Sequence, residues 1–490
     1  VTIAFDNSYA RLPDRFFVRT APTPVRAPKL IRLNRDLALH LGLDPEKLSS
    51  PEGIAMLSGS RVAQGSEPIA MAYAGHQFGH FQPQLGDGRA LLLGEVIDRD
   101  GRRRDIQLKG SGPTAFSRQG DGRAALGPVL REYVVSEAMA ALGVPTTRSL
   151  AAVFTGEDVE RETFLPGGVL TRVAASHIRI GTFQFFAARG DLDGVRRLAD
   201  HVIARHYPQA RETESPYRAL LNAVALAQAE LVARWLNIGF IHGVLNTDNM
   251  SVAGETIDYG PCAFMDAYDP ATVFSSIDRN GRYAFGNQPH IVQWNLARLA
   301  EALLPLLDSD EDRSVAVAQE TLAAYVERFN DAYLAGLRAK FGFVTERDGD
   351  LALVQELLDA MKANGADFTL TFRRLSEAAA DPAADEEIRS LFADPAAFST
   401  WAIRWRARLA EEPQTPEERR AAMRAVNPMY IPRNHRIEAM IESAVSRGDY
   451  GAFEELLVVL AKPYEDQPEF RRYAEPPEPH ERVLKTFCGT

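Results

Sequence analysis

Residues 241–266 read IHGVLNTDNMSVAGETIDYGPCAFMD, and this stretch constrains the fold more than any other part of the chain. Apolar and polar residues alternate on either side of an Ala-Gly-Glu turn, a pattern that predicts a tight hairpin over 250–258. A hairpin brings its ends together, so Asn249 and Asp258 are expected side by side. An amide oxygen beside a carboxylate is the hard-oxygen donor set that suits Mg²⁺ or Mn²⁺, which complete their shells with phosphate and water. The bland alternative is that Asp258 merely starts a turn and Asn249 caps one.

The succession of His242-Gly243, Asn249, a hairpin and Asp258-Tyr259-Gly260 follows the catalytic segment of protein kinases, where His-x-Asp-Leu precedes the Asn and Asp-Phe-Gly comes after it. One element is missing. Val244 stands where a kinase has its catalytic base. Asp248 is the local replacement, a carboxylate that could take a proton from an acceptor hydroxyl, a role worth roughly 10²–10⁴ in rate. Otherwise Asp248 is an ordinary loop residue.

The organisation around this segment is consistent with a two-lobed, kinase-like α+β fold. Residues 1–65 alternate short apolar clusters with Pro and charge, ending in the helix-like PEGIAMLSG, and read as an N-terminal extension. Residues 66–185 hold the strand signals RALLLGEVID, RRRDIQLKG, SLAAVF and GGVLTRVA, with one amphipathic helix in LGPVLREYVVSEAMAALG. Residues 186–345 become helical and contain the catalytic segment. Residues 346–490 are a helical C-terminal extension, with the acidic, Ala/Pro-rich stretches AAADPAADEEI and AEEPQTPEER expected as solvated loops.

Lys109 ends a strand in DIQLKGSG, and Glu132 follows in the amphipathic helix, the arrangement of the kinase Lys–Glu pair that holds phosphates. Glu137 is the rival partner, but it lies on a different helical face, which favours Glu132. Gly-Asp-Gly-Arg occurs twice, at Gly86–Arg89 and Gly120–Arg123, flanking the Lys109 strand. Gly86 and Gly88 would let backbone N–H groups approach an anion, with Arg89 adding a fork of donors; Asp121 and Gly122 are the corresponding candidates in the second copy. Asp-Gly is also a plain turn signal. Arg172 and Arg179, around His177 in LTRVAASHIRIG, supply more phosphate-binding guanidinium than a kinase needs here.

A net charge of −11 and a pI near 5.5 argue against nucleic acid as the partner. No apolar run of membrane-spanning length and no leader pattern stand out, so a cytoplasmic protein with no membrane association is expected. Two cysteines in 490 residues exclude a disulfide scaffold and a zinc ribbon. Cys262 lies four residues after Asp258 and Cys488 three from the end, which suggests either two unrelated thiols or a redox latch between tail and site.

Together YAGHQFGHFQPQLGDGRALLLGEV, LKGSGPTAFSRQGDGRAALGPVLREYVVSEAM, LTRVAASHIRIGTFQ, the catalytic segment and NPMYIPRNHRIEAMIE resemble the selenoprotein O family, a kinase-like group. The resemblance implies a protein adenylyltransferase that moves AMP, or UMP, from a nucleoside triphosphate to Ser, Thr or Tyr hydroxyls of protein substrates. It further implies ATP lying inverted relative to kinases. Gly86, Gly88, Arg89, Lys109, Asp121, Gly122, Arg172, Arg179 and Asp258 would contact nucleotide. Glu132 would pair with Lys109, Asp248 would be the base, and Asn249 with Asp258 would hold Mg²⁺ or Mn²⁺. Animal members carry selenocysteine near the C-terminus, where this chain has Cys488. Two other readings are a metal-dependent phosphotransferase and a non-catalytic, pseudokinase-type nucleotide scaffold; the presence of Asp248, Asn249 and Asp258 argues against the scaffold.

Overall fold

A computed structural model describes residues 3–487; Cys488, one half of the suggested latch, lies outside the described residues. The fold mixes α-helix with an eight-stranded sheet whose pairings are all antiparallel. Across it the strands run Phe17–Arg19, Ile69–Met71, Ala90–Ile97, Arg103–Lys109, Phe164–Ala174, Arg148–Glu160 and Lys29–Leu33, with Ala124–Ala125 paired to Phe164–Ala174 off that path.

Register fixes what the sheet presents to the cleft. Gln107 opposes Arg172 and Lys109 opposes Leu170. Side chains alternate along a strand, so Gln107, Lys109 and Arg172 share one face. The helix Leu126–Ala141 crosses that face and buries Val129, Leu130, Tyr133 and Val134. Gly168 admits it: a Cβ there would stand 3.3 Å from both Leu126 and Val129 side chains.

Residues 1–65 contribute to the sheet. They supply both of its edge strands, and their helices Arg35–His40, Pro45–Ser49 and Pro51–Leu57 cover its other face. There Leu37, Leu48 and Leu57 pack with Leu93, Ile106, Val153 and Val169.

The helical part centres on Pro216–Ile238, Gln288–Leu307 and Glu311–Phe341, which pack on one another. Against the expectation that no run of membrane-spanning length stands out, Pro216–Ile238 is long and apolar enough to cross a membrane by length and composition. In this fold Leu220, Val224, Leu231 and Trp235 are core residues. Beyond it a second core buries Phe341, Leu357, Phe372, Trp401 and Trp405 together with Leu236 and Met265.

Two expectations are corrected. Residues 250–258 do not form a hairpin, because each arm pairs with a different neighbour. Met250 and Val252 bond Ile180 and Ile178 at 3.0 Å each, whereas Thr256 bonds Pro145 at 2.9 Å and Thr147 at 3.0 Å. The acidic stretches are not simply solvated. Asp385 is buried against Arg406 at the start of the short helix Asp385–Arg389, and Glu412 is buried accepting from Arg408 and from the Val344 and Thr345 amides.

Candidate active site

A cavity of about 730 Å³ opens between the sheet and the catalytic segment. Lys109, Arg172 and Arg179 line it from the sheet side, and Asp248, Asn249 and Asp258 from the catalytic segment. Both Gly-Asp-Gly-Arg copies also reach it, through Gly86, Gly88 and Arg89 in the first and Asp121 and Gly122 in the second. Glu132 is buried behind Lys109, accepting from its Nζ at 2.5 Å. The rival Glu137 accepts from Arg148 at 2.7 Å and from the Ser149 amide, on the other side of the helix.

Asp258 is the electrostatic hub. Arg172 donates to its Oδ1 at 2.6 Å, Arg179 to its Oδ2, and Lys109 Nζ stands 3.7 Å away. Burial alone would push this carboxyl up, but Arg179, Arg172 and Lys109 outweigh it and hold Asp258 well below the usual carboxylate range. Its backbone is left-handed, with φ 65°, a conformation that Asp tolerates better than most residues. Arg172 also donates to Glu132 at 3.2 Å and to Gln107, so the two arginines that the sequence offered as phosphate clamps also hold buried carboxylates in place. Arg179 further donates to the Asp248 carbonyl at 2.6 Å and lies over the Tyr73 ring.

Asp248 has a different environment. Gln77 donates to its Oδ2 at 2.9 Å, while its buried Oδ1 has no hydrogen-bond partner. Burial raises the carboxyl to about 6, against the hydrogen bond from Gln77, which lowers it. A carboxylate with one unused oxygen and a pKa near neutrality is suited to accept a proton. Gly75 is required beside it, because a Cβ there would meet Asp248 Oδ1 at 2.4 Å.

The segment that holds Asp248 escaped sequence reasoning. Strands Gly75–Gln77 and His80–Gln82 form a small ribbon whose consecutive residues grip the catalytic loop. The His76 amide donates to Thr247 Oγ1 at 2.7 Å, Gln77 to Asp248, and the Phe78 amide to Asn246 Oδ1 at 3.1 Å. The only signal was position inside the conspicuous block YAGHQFGHFQ. Asp87 was also missed, although it sits within the first Gly-Asp-Gly-Arg. Buried 3.9 Å from Arg179, it accepts from the Met71 amide, and burial raises it to about 6 against Arg179.

Asn249 donates to the Val244 carbonyl at 2.8 Å, which leaves its amide oxygen as the acceptor. With Asp258 on the same cavity wall, the two supply oxygen donors of the type a hard divalent cation takes. A separate group, His40, Asp98 and Asp100, has ligand atoms within 4.8 Å of one another but lies outside the cleft, and Arg104 already engages Asp98 at 2.9 Å. Asp121 is held by Arg161 at 2.9 Å at the cavity edge. His177 points away from the chemistry: buried against Asp105 at 2.9 Å, it is pushed down by burial to about 4. Cys262 is buried, and the Thr486 hydroxyl donates to the neighbouring Pro261 carbonyl at 2.5 Å.

Buried cations, two oxygen donors and a separately held carboxylate in one cleft form a set suited to group transfer on an anionic substrate. Comparison with known proteins narrows the class. Residues 1–461 match the family model described as Protein adenylyltransferase SelO, and the chain belongs to that family, an enzyme family of nucleotidyltransferases. It is 70% identical over 490 residues, covering 100% of both chains, to a Bradyrhizobium diazoefficiens protein named Protein nucleotidyltransferase YdiU. Proteins of the same name from Rhodopseudomonas palustris and Methylorubrum populi are 68% identical over 490 residues and 69% identical over 492, covering at least 99% of each chain.

Proposed function

We propose that this chain transfers AMP from ATP, or UMP from UTP, to Ser, Thr or Tyr hydroxyls of proteins, with the nucleotide inverted relative to kinases. The scaffold is read as a kinase-like two-lobed fold, with lobes at 66–185 and 186–345, an N-terminal extension 1–65 and a helical extension 346–490. The carrying observation is the buried Asp248 carboxylate, one oxygen unpartnered, in a cavity that also holds the Arg172–Asp258–Arg179 cluster.

In this reading Asp248 accepts the proton as the acceptor oxygen attacks the α-phosphorus, and pyrophosphate leaves. Lys109, Arg172 and Arg179 stabilise the charge that develops on the phosphates. Glu132 orients Lys109 and offsets the cost of burying its ammonium. Gly86, Gly88, Arg89, Asp121 and Gly122 would hold the rest of the nucleotide. Asn249 and Asp258 would hold Mg²⁺ or Mn²⁺, which supplies charge neutralisation on the phosphates. The same reading includes a Cys262–Cys488 disulfide, formed by exchange with a small-molecule disulfide and supported by the tail residue Thr486 lying against Pro261. Non-reducing mass mapping that left both thiols unpaired would remove that part.

The test supplies ATP labelled at the α- or γ-phosphate, divalent metal, reductant and a mixed protein substrate. Label from the α-position with an AMP-sized mass gain is expected. Label only from the γ-position would replace the reading with a kinase.

A further inference from the structure

We propose that the surface made by the 75–82 ribbon and Trp294 docks an acidic segment of the acceptor protein beside the hydroxyl to be modified. The inference rests on reading Asp248 as the base that receives that hydroxyl.

Position comes first. The ribbon that bonds Asp248 through Gln77 also carries His76 and the exposed Phe81. His76 packs edge-on against Trp294, with ring centroids 5.2 Å apart, and 4.9 Å from exposed Phe81. Ile277, exposed by 53%, lines the cavity mouth. A protein that presents a hydroxyl to Asp248 has to cover these side chains, because its chain continues on both sides of the modified residue.

Charge decides which kind of segment fits. The guanidinium groups of Arg282 and Arg298 each lie 4.8 Å from the Trp294 ring centroid, on a chain whose net charge is −11. Among the described residues no carboxylate comes within ion-pair range of Arg282, and Arg298 is held only by Glu301 at 2.6 Å, itself half exposed. Gly79 stands 3.7 Å from the Arg282 guanidinium, measured from where a Cβ would sit, so the ribbon tip and this cation form one surface. Guanidinium supported by an indole face retains a planar fork of donors for carboxylate. The acidic remainder of the surface disfavours the same ligand elsewhere. Trp, Arg and exposed apolar side chains together are the composition of interface anchors, and none of the three residues Arg282, Trp294 and Arg298 belongs to the nucleotide cavity.

The experiment uses the full chain, a non-hydrolysable ATP analogue and two fluorescent Ser-centred peptides, one flanked by Asp and Glu and the other by Lys and Arg. Anisotropy should show the acidic peptide binding about tenfold or more tightly. Arg282→Glu/Arg298→Glu should reverse that preference, and Trp294→Ala should weaken the acidic peptide, all with nucleotide binding unchanged. Equal affinity of the wild-type chain for both peptides would overturn the proposal, as would an unaltered preference in the charge-reversed variant. If that double variant loses nucleotide binding through misfolding, Arg298→Glu on the helix surface carries the same test. Transfer of α-label is measured in parallel: its absence from every acceptor counts against the adenylyl-transfer reading, while peptide binding decides the docking surface independently.

Discussion

Asp258→Asn separates the electrostatic role of this residue from its proposed role as a metal ligand. Asn is nearly the same size and tolerates the left-handed backbone found here, so the change removes charge and little else. It leaves Arg172, Arg179 and Lys109 facing one another across a buried site without the carboxylate that two of them bond and the third approaches to 3.7 Å. Removing one member of a buried charge cluster costs about 3–5 kcal/mol. Thermal stability and nucleotide transfer should therefore both fall, with the melting temperature dropping by several degrees. Added tripolyphosphate should raise the variant's melting temperature more than the wild type's, because the uncompensated cations now bind an anion more strongly. Asn249→Ala is the contrast: transfer falls, but stability changes little, since among the described residues the Asn249 side chain gives up one hydrogen bond, to the Val244 carbonyl. An Asp258→Asn protein that melts like the wild type, with no extra response to tripolyphosphate, would refute the argument that Asp258 balances this cluster.

Gln77→Leu should lower kcat by up to about a hundredfold with KM for ATP unchanged, because it releases the Asp248 carboxylate without touching the nucleotide wall's cations; steady-state kinetics checks the split. Lys340 gives a pH-dependent stability test: it is buried beside Phe368 and Phe372, and burial alone pushes its amine down to about 7 from the ordinary 10.5. Between those values the unfolded chain binds more protons, so this lysine destabilises most at and below pH 7 and the penalty fades as pH rises towards 10.5. Lys340→Met should accordingly gain about 4 kcal/mol at pH 7 and progressively less at higher pH by urea denaturation; a pH-independent difference would refute the assignment.

What the sequence made legible is what short-range pattern encodes. The Lys109 strand, the helix that carries Glu132 and the long helices announce themselves by periodicity, and the antiparallel sheet and helices appear where those patterns lie. Residues 250–258 show the limit of that approach. Alternation was real, but it recorded burial against Ile178–Ile180 and Pro145–Thr147, and nothing local distinguishes pairing with a distant strand from pairing within a hairpin. Gln77 and Asp87 went unnoticed for a related reason. Their significance comes from contacts made 171 residues away, at Asp248, and across the sheet at Arg179. The acidic stretches misled because composition reports average solvation, whereas Asp385 and Glu412 each meet a specific arginine.

The C-terminal extension, to which sequence pattern assigned no task, bears directly on the Lys109–Glu132 pair. Its helix Asn434–Arg447 packs on Leu126–Ala141 so closely that a Cβ on Gly127 would meet Ile441 at 2.8 Å. Arg131, the neighbour of Glu132, pairs with Glu438, and Tyr133 packs edge-on against Phe453 of the next helix, Gly451–Leu460, with centroids 5.5 Å apart. A helix wedged on both flanks of Glu132 cannot swing away without opening this core. The Lys109–Glu132 pair is thus held by packing from behind, on a helix braced by the C-terminal extension.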